Sequence, residues 1–271
     1  MKGTNKRFCV VLPIGIFLAY IGVTMLCGLF TANPVQAQFV SNVFWVLLGF
    51  GFWLYERYTD RKECRVRELF RPRAWSVFVL VVICIVFGLL IPIVGFGLQT
   101  HIYDTGAEVY QTSIQQDAGL FLLMSVFLAP VVEEMLFRWF MYKPWKKAFG
   151  TVVSMLLTST IFAIIHGTLQ HLPVAFFVGF FGCVLIEVTG QLRYAVLNHF
   201  IYNLLAVAVV PALLPADGSW LYSYPAMLVL YMVCIGSVIW MYRHRKAIKT
   251  YVTSDHLIDK WNRKWDETVS K

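Results

Sequence analysis

Three short groups of polar residues stand inside long apolar stretches of this chain. They are Glu133-Glu134-Met135-Leu136-Phe137-Arg138, Phe162-Ala163-Ile164-Ile165-His166 and His199-Phe200-Ile201-Tyr202-Asn203. An ionisable side chain inside an apolar span is costly to hold, so each is a functional hypothesis by default. On a helix, adjacent residues point about 100° apart, so Glu133 and Glu134 cannot both face one cavity in the same way. Glu134 and Arg138 stand at i and i+4 with the acid first, the favourable order for an ion pair. Glu133 is then left without a local partner, and a desolvated carboxylate is a good base. Phe162 and His166 share one helix face, as do His199 and Asn203. The last two carry N–H groups that could donate to a developing oxyanion. Together they put an acid, two imidazoles and a carboxamide on three helices, in the most polar third of an otherwise apolar chain. The plain alternative is that the same side chains only lock helices together through ion pairs and interhelical hydrogen bonds.

Other chemistries fit less well. Glu133, His166 and His199 form a two-histidine, one-carboxylate set of the kind that binds Zn2+. No H-E-x-x-H is present, and no two histidines stand i, i+4 on one helix, so the metal-free reading is preferred and zinc is the alternative. No G-x-S-x-G occurs, and no Asp lies within an expected span. None of the six cysteines forms a C-x-x-C pair and five lie in apolar runs, which gives neither a disulfide framework nor a zinc ribbon.

The elements that must position these groups are membrane helices. Hydrophobic residues make up 59% of the 271, and only 14% are charged. The mean hydropathy is +0.67. A soluble domain of this length has no means of hiding that much apolar surface. About 20 helical residues cross a bilayer core, and eight stretches qualify, near 8–30, 39–56, 74–98, 118–142, 148–167, 172–190, 194–214 and 219–242. The expected fold is therefore all-α, a polytopic transmembrane bundle of about eight helices.

Charge fixes the expected orientation. The connections near 31–38, 99–117, 168–171 and 215–218 hold no Lys or Arg, and all 23 basic residues lie at the termini, in the other connections or at helix ends facing them. The positive-inside rule then puts both termini in the cytoplasm, in a multi-pass protein of the cell membrane. That clustering, rather than a continuous basic surface, also argues against nucleic acid as the partner behind a net charge of +8. The first apolar run is too long for a signal-peptide core and reads as an uncleaved helix. In the tail, Leu257, Trp261 and Trp265 at i, i+4 and i+8 among basic residues read either as a surface-lying amphipathic helix or as a solvated segment. No inverted repeat or paired helix break suggests a transporter.

The order E-E-x-x-x-R, F-x-x-x-H, H-x-x-x-N resembles the CPBP intramembrane proteases. That family takes in type II CAAX prenyl endopeptidases and Abi or bacteriocin-immunity-like proteins. Glu187-Val188-Thr189-Gly190 is similar to its E-x-T-G. The resemblance covers roughly 118–212, the expected catalytic core. It leaves 1–117 as family-unspecific helices, 213–242 as a last span and 243–271 as a basic tail. It implies a peptidase acting on a peptide or membrane-protein substrate without an acyl-enzyme. Glu133 would activate water, helped by His166. His199 and Asn203 would stabilise the oxyanion, while Glu134, Arg138 and Phe162 would support them. The alternative is a non-catalytic scaffold or immunity protein using the same residues structurally. One geometric difficulty stands against convergence. Counted from Lys143 and Lys147 at 1.5 Å per residue, Glu133 lies about 15 Å up its helix and His166 about 28 Å up the next. Their meeting needs a fifth helix that tilts or starts well below the membrane, with Pro144, Trp145 and Gly150 at a protruding corner.

Overall fold

The computed structural model describes residues 6–31, 33–59, 115, 117–166, 171–209 and 224–246. Every element there is helical. They are α1 (Lys6–Gly28), α2 (Pro34–Thr59), α3 (Asp117–Phe149), α4 (Thr151–Ile165), α5 (His171–Thr189), α6 (Leu192–Leu204, continued by a π-helical turn over Leu205–Val209) and α7 (Tyr224–Arg243). Three of these are long and apolar enough to cross a membrane: Arg7–Gly28 within α1, all of α3, and α5. This is a membrane protein. A count of eight spans goes beyond what these three helices establish. The expected span over 74–98 and the tail beyond Lys246, with Leu257, Trp261 and Trp265, lie outside the described residues.

Local chemistry sets the helix ends. Asn33 caps α2, its Oδ1 accepting from the N–H of Val35 at 2.9 Å, and Pro34 opens the helix where no N–H is needed. Asp117 accepts from the N–H of Leu120 at 2.9 Å at the start of α3. Two turns bend through glycines in the left-handed region, Gly150 (φ 82°) between α3 and α4 and Gly190 (φ 72°) between α5 and α6.

α3 contains two π-helical stretches, Leu123–Leu128 and Met135–Tyr142. A proline follows each closely, Pro130 and Pro144. A proline inside an α-helix lacks an N–H and crowds the carbonyl four residues back. The wider π turn relaxes both constraints. The sequence reading that ends this span near residue 142 is therefore corrected. α3 runs through Pro144 to Phe149, seven residues further.

The surface carries many large apolar side chains, as lipid surroundings favour, and the mainly apolar interior holds a set of polar groups. Phe8, Leu18, Met25, Phe44, Leu47, Phe127, Leu156 and Met232 point outward, while Ser41, Asn42, Glu134, Arg138, Thr158, Ser159 and Asn198 are buried. α4 packs along α5, α5 along α6 and α7, and α1 against α2 and the lower part of α3. Close approach of α4 to α5 depends on Gly179. A Cβ there would stand 3.2 Å from the Phe162 ring and 3.3 Å from Cα of Ser159.

Candidate active site

The site forms where α3, α4 and α6 meet. Gly150 is the corner from which two arms rise. Glu133 lies 17 residues before it and His166 16 residues after it. At roughly 1.5 Å per residue both stand about 25 Å from the corner. The difficulty raised by counting from Lys143 disappears once α3 is seen to extend to Phe149. The Trp145 indole nitrogen, 3.3 Å from the carbonyl of Val10, registers α1 against this lower arm.

Glu133 and the two histidines are brought together. Nε2 of His199 is 3.8 Å and Nε2 of His166 is 3.9 Å from the same oxygen, Oε2 of Glu133. That oxygen is buried and has no hydrogen-bond partner among the described residues. The side chains differ in exposure, 4% for His199, 19% for Glu133 and 32% for His166, so the cluster opens on the His166 side.

The far side of each imidazole fixes what the near side can do. His166 is the C-cap of α4, and its Nδ1 lies 2.6 Å from the carbonyl of Phe162. A carbonyl only accepts, so Nδ1 carries the proton. Nδ1 of His199 lies 3.0 Å from Oε1 of Glu134, a carboxylate already held by Arg138, so it too donates. In a neutral imidazole, Nε2 is then the lone-pair nitrogen. Two nitrogen lone pairs and one carboxylate oxygen thus converge with no donor between them. The gaps exceed direct hydrogen bonding and match the span that one water bridges.

Behind His199 lies the Glu134–Arg138 pair. Nε of Arg138 is 2.9 Å from one carboxylate oxygen and Nη2 is 3.1 Å from the other, with both side chains essentially out of contact with solvent. The i, i+4 pairing expected from the sequence is present, and Glu134 uses it to hold the imidazole as well. The guanidinium carbon stands 5.3 Å from the centre of the Phe162 ring, and that ring packs against His166 (4.5 Å) and His199 (5.7 Å). Phe162 is thus the apolar spacer that orients both histidines. A Cβ on Gly182 of α5 would fall 2.7 Å from Nε of Arg138 and 3.0 Å from Oε2 of Glu134. Sequence reasoning passed over Gly179 and Gly182, although two glycines three residues apart in an apolar helix signal close packing.

Asn203 sits one turn beyond His199. Its Nδ2 donates to the backbone carbonyl of Ser125 at 2.7 Å, one of the two hydrogens it carries. The expectation of two ready oxyanion donors therefore narrows. Asn203 has one remaining N–H, and His199 can donate from Nε2 only as an imidazolium. Glu187-Val188-Thr189-Gly190 supports the site from below. Glu187 accepts from Tyr142 at 2.9 Å and pairs with Lys146, tying α5 to α3. Thr189 bonds the carbonyl of Leu185 at 2.6 Å and the N–H of Gln191 at 3.1 Å, and Gly190 makes the turn into α6.

Residues 115–205 match the family described as type II CAAX prenyl endopeptidase Rce1-like. This third of the chain is similar to that family. It contains α3 to α6 as far as Leu205, and every polar group of the cluster falls inside it; α1, α2 and α7 lie outside. No curated protein and no solved structure matches the chain.

The donor types at the cluster suit zinc better than the spacing does. Tetrahedral ligands at about 2.1 Å stand roughly 3.4 Å from one another, and Oε2 of Glu133 stands 3.8 and 3.9 Å from the two imidazole nitrogens. Among the described residues, no group of three or more His, Cys, Asp or Glu side chains has an arrangement that could hold a metal ion.

Proposed function

We propose that this protein is an intramembrane endopeptidase that hydrolyses a peptide bond with a water activated by Glu133, without an acyl-enzyme. The observation that carries the reading is the buried Oε2 of Glu133, without a hydrogen-bond partner among the described residues, facing two imidazole nitrogens whose other edges are already committed. The Rce1-like match supports it, because the segment that holds the cluster resembles a family described as type II CAAX prenyl endopeptidases.

The proposed cycle follows from the lone pairs. A water between the three groups donates one proton to Glu133 and attacks the substrate carbonyl carbon as the O–H bond breaks. The carbonyl π pair moves onto oxygen. The free N–H of Asn203 stabilises that oxygen, joined by Nε2–H of His199 when the ring is an imidazolium. The proton on Glu133 passes, directly or through Nε2 of His166, to the departing amide nitrogen as the C–N bond breaks. Products are a carboxylic acid and an amine, and Glu133 returns ionised. Glu134, Arg138 and Phe162 touch no substrate; they hold His199 and His166 in place. No step passes through a metal.

The substrate class is a peptide or the exposed end of a membrane protein. The family's printed name makes a C-terminal peptide with a prenylated cysteine the first to try. The purified protein, in lipid vesicles, is given such a peptide, its unprenylated counterpart and a transmembrane peptide, each with and without a chelator. Glu133→Gln should lower turnover by about 10²–10⁴, the range for losing a general base, with the fold intact. Wild-type cleavage by a folded Glu133→Gln protein rejects the mechanism. Wild-type protein that cleaves none of the substrates favours the non-catalytic scaffold, in which these residues serve only packing.

A further inference from the structure

The two ends of the bundle differ in charge. Among the described residues, every Lys and Arg except the buried Arg138 stands toward one end. Arg7 lies in the first turn of α1, and the Trp145–Val10 bond ties that start to the lower arm of α3, where Lys146 and Lys147 stand. Lys146 pairs with Glu187 near the end of α5, and Arg193 follows the Gly190 turn into α6. Arg243 ends α7 next to Tyr242, which is close enough to act electrostatically on Tyr142 of α3. The opposite end holds the α1–α2 turn, the start of α3 and the end of α4. The sequence has no Lys or Arg from residue 8 to 56 or from residue 74 to 137.

The cluster around Glu133 is closed toward the basic end and open toward the other. On the basic side, Phe137, Arg138, Ser159, Phe162, Tyr194 and Asn198 are each at most 3% exposed. On the other side, α4 stops level with Glu133, and its cap, His166, is the most exposed member of the cluster. α3 and α6 continue past that level together, joined by the bond from Asn203 to the carbonyl of Ser125. Phe200 to Val207 cover every face of about two helical turns, and none of them is buried. A helix packed along one face buries residues in each turn. The inward face of α6 therefore borders open space beyond His199, just where α4 has ended.

We infer that substrate reaches Glu133 from the end opposite the basic residues, which is the face of the membrane away from the cytoplasm. This rests on the peptidase reading and deepens it by fixing the side from which substrate comes. Membrane proteins keep Lys and Arg on the cytoplasmic side, so the packed floor of the cluster faces the cytoplasm and its open side faces away. The substrate is then a secreted peptide, or the end of a membrane protein that emerges on the far side. Glu133 lies 16 residues from Asp117, at the far end of α3. That is roughly 24 Å at 1.5 Å per residue, and an extended chain covers it with about seven residues. A free, unfolded end meets this need with half the length that a loop requires.

The test labels single cysteines placed in the full chain after its six native cysteines are replaced by alanine. His166→Cys reports the open side, Asn203→Cys reports it independently should the first variant fail to fold, and Lys147→Cys reports the basic end. A quaternary-ammonium methanethiosulfonate, whose fixed charge keeps it out of the apolar core, is added to right-side-out and to inverted vesicles of the expressing cells. Positions 166 and 203 should react about tenfold or more faster in right-side-out vesicles, and position 147 in inverted ones, because the reagent cannot cross the bilayer. The reverse order at 166 and 203, equal rates from both sides, or no reaction at either while 147 reacts would each overturn the inference. Faster reaction of 147 in right-side-out vesicles would overturn the orientation beneath it. Labelling needs no turnover. Reaction of 166 and 203 from outside, in a protein that cleaves no peptide, would reject the peptidase reading and leave the side of the opening standing. Any peptide the wild type does cleave, carrying a charged dye, should be cut in right-side-out vesicles and spared in inverted ones until detergent is added; the reverse would overturn the proposal.

Discussion

Arg138→Met should unfold this protein more readily than almost any other single change, and Glu134→Gln in the same chain should largely undo the damage. Arg138 and Glu134 are 0% and 1% exposed, and they face each other at 2.9 and 3.1 Å. Removing the guanidinium alone leaves a buried carboxylate with only the His199 N–H to answer it. Breaking one side of a buried pair costs about 3–5 kcal/mol. For a chain of this size, 1 kcal/mol moves the melting temperature by roughly 2–4 °C, so a fall of about 6–20 °C is expected. Replacing both partners by neutral residues of similar length removes charge and counter-charge together, and such replacements are often near neutral. The double variant should melt within about 4 °C of wild type by the same conversion. Its activity should not return with its stability. The substituted amide can still accept from Nδ1 of His199, but a neutral acceptor is roughly half as strong as a charged one, so kcat should stay about tenfold low. Thermal unfolding in detergent, followed by circular dichroism, and peptide turnover read the two effects separately. A double variant no more stable than the worse single variant would refute the claim that uncompensated charge is what hurts. Full recovery of kcat would refute the claim that Glu134 matters to His199 through its charge.

Gly182→Ala adds a Cβ 2.7 Å from Nε of Arg138; overpacking of this kind costs about 1–3 kcal/mol, and with His199 displaced through Glu134, kcat should fall while KM holds, a split that steady-state kinetics would show. Chelator treatment should leave turnover within a factor of about two, because the 3.8 and 3.9 Å spacings suit water between the groups; loss of activity that returns on adding Zn2+ would reverse that view. Four alanines inserted after Phe149 lengthen one arm of the α3–α4 hairpin by about 6 Å and should abolish cleavage. Four more inserted before Thr151 lengthen the other arm equally and should restore it.

The candidate cluster was legible in the sequence because ionisable residues are rare enough in apolar spans to stand out. Glu133, Glu134, Arg138, His166, His199 and Asn203 could all be picked from type and spacing. The Glu134–Arg138 pair followed from i, i+4 geometry alone. Other parts of the site were hidden for identifiable reasons. Spacing within one helix says nothing about the height at which the next helix stands, so Pro144 and the lysines around it suggested a helix end. The π-helical stretch Met135–Tyr142 lets the chain pass through that proline, and no pattern of apolar residues announces it. The spacing of Gly179 and Gly182 signals close packing, but the place of Gly182 beside a guanidinium depends on which helix faces it.

Asn203 shows the same limit from the other side. On one helix it shares a face with His199, and that much is a property of the sequence. Whether its N–H groups are free depends on a carbonyl 78 residues away, that of Ser125, which lies in the π-helical stretch Leu123–Leu128. A π turn shifts backbone hydrogen bonds out of the usual register and leaves carbonyls able to accept from side chains. The two irregular stretches of α3 therefore have separate consequences for the site: one anchors Asn203 from above, and the other carries the helix down to Gly150, where the turn sets the height of His166. Apolar periodicity records neither, because it reports which face is greasy and is blind to one extra residue per turn. The polar residues can be identified without knowing these turns, but their convergence follows only once the turns are placed.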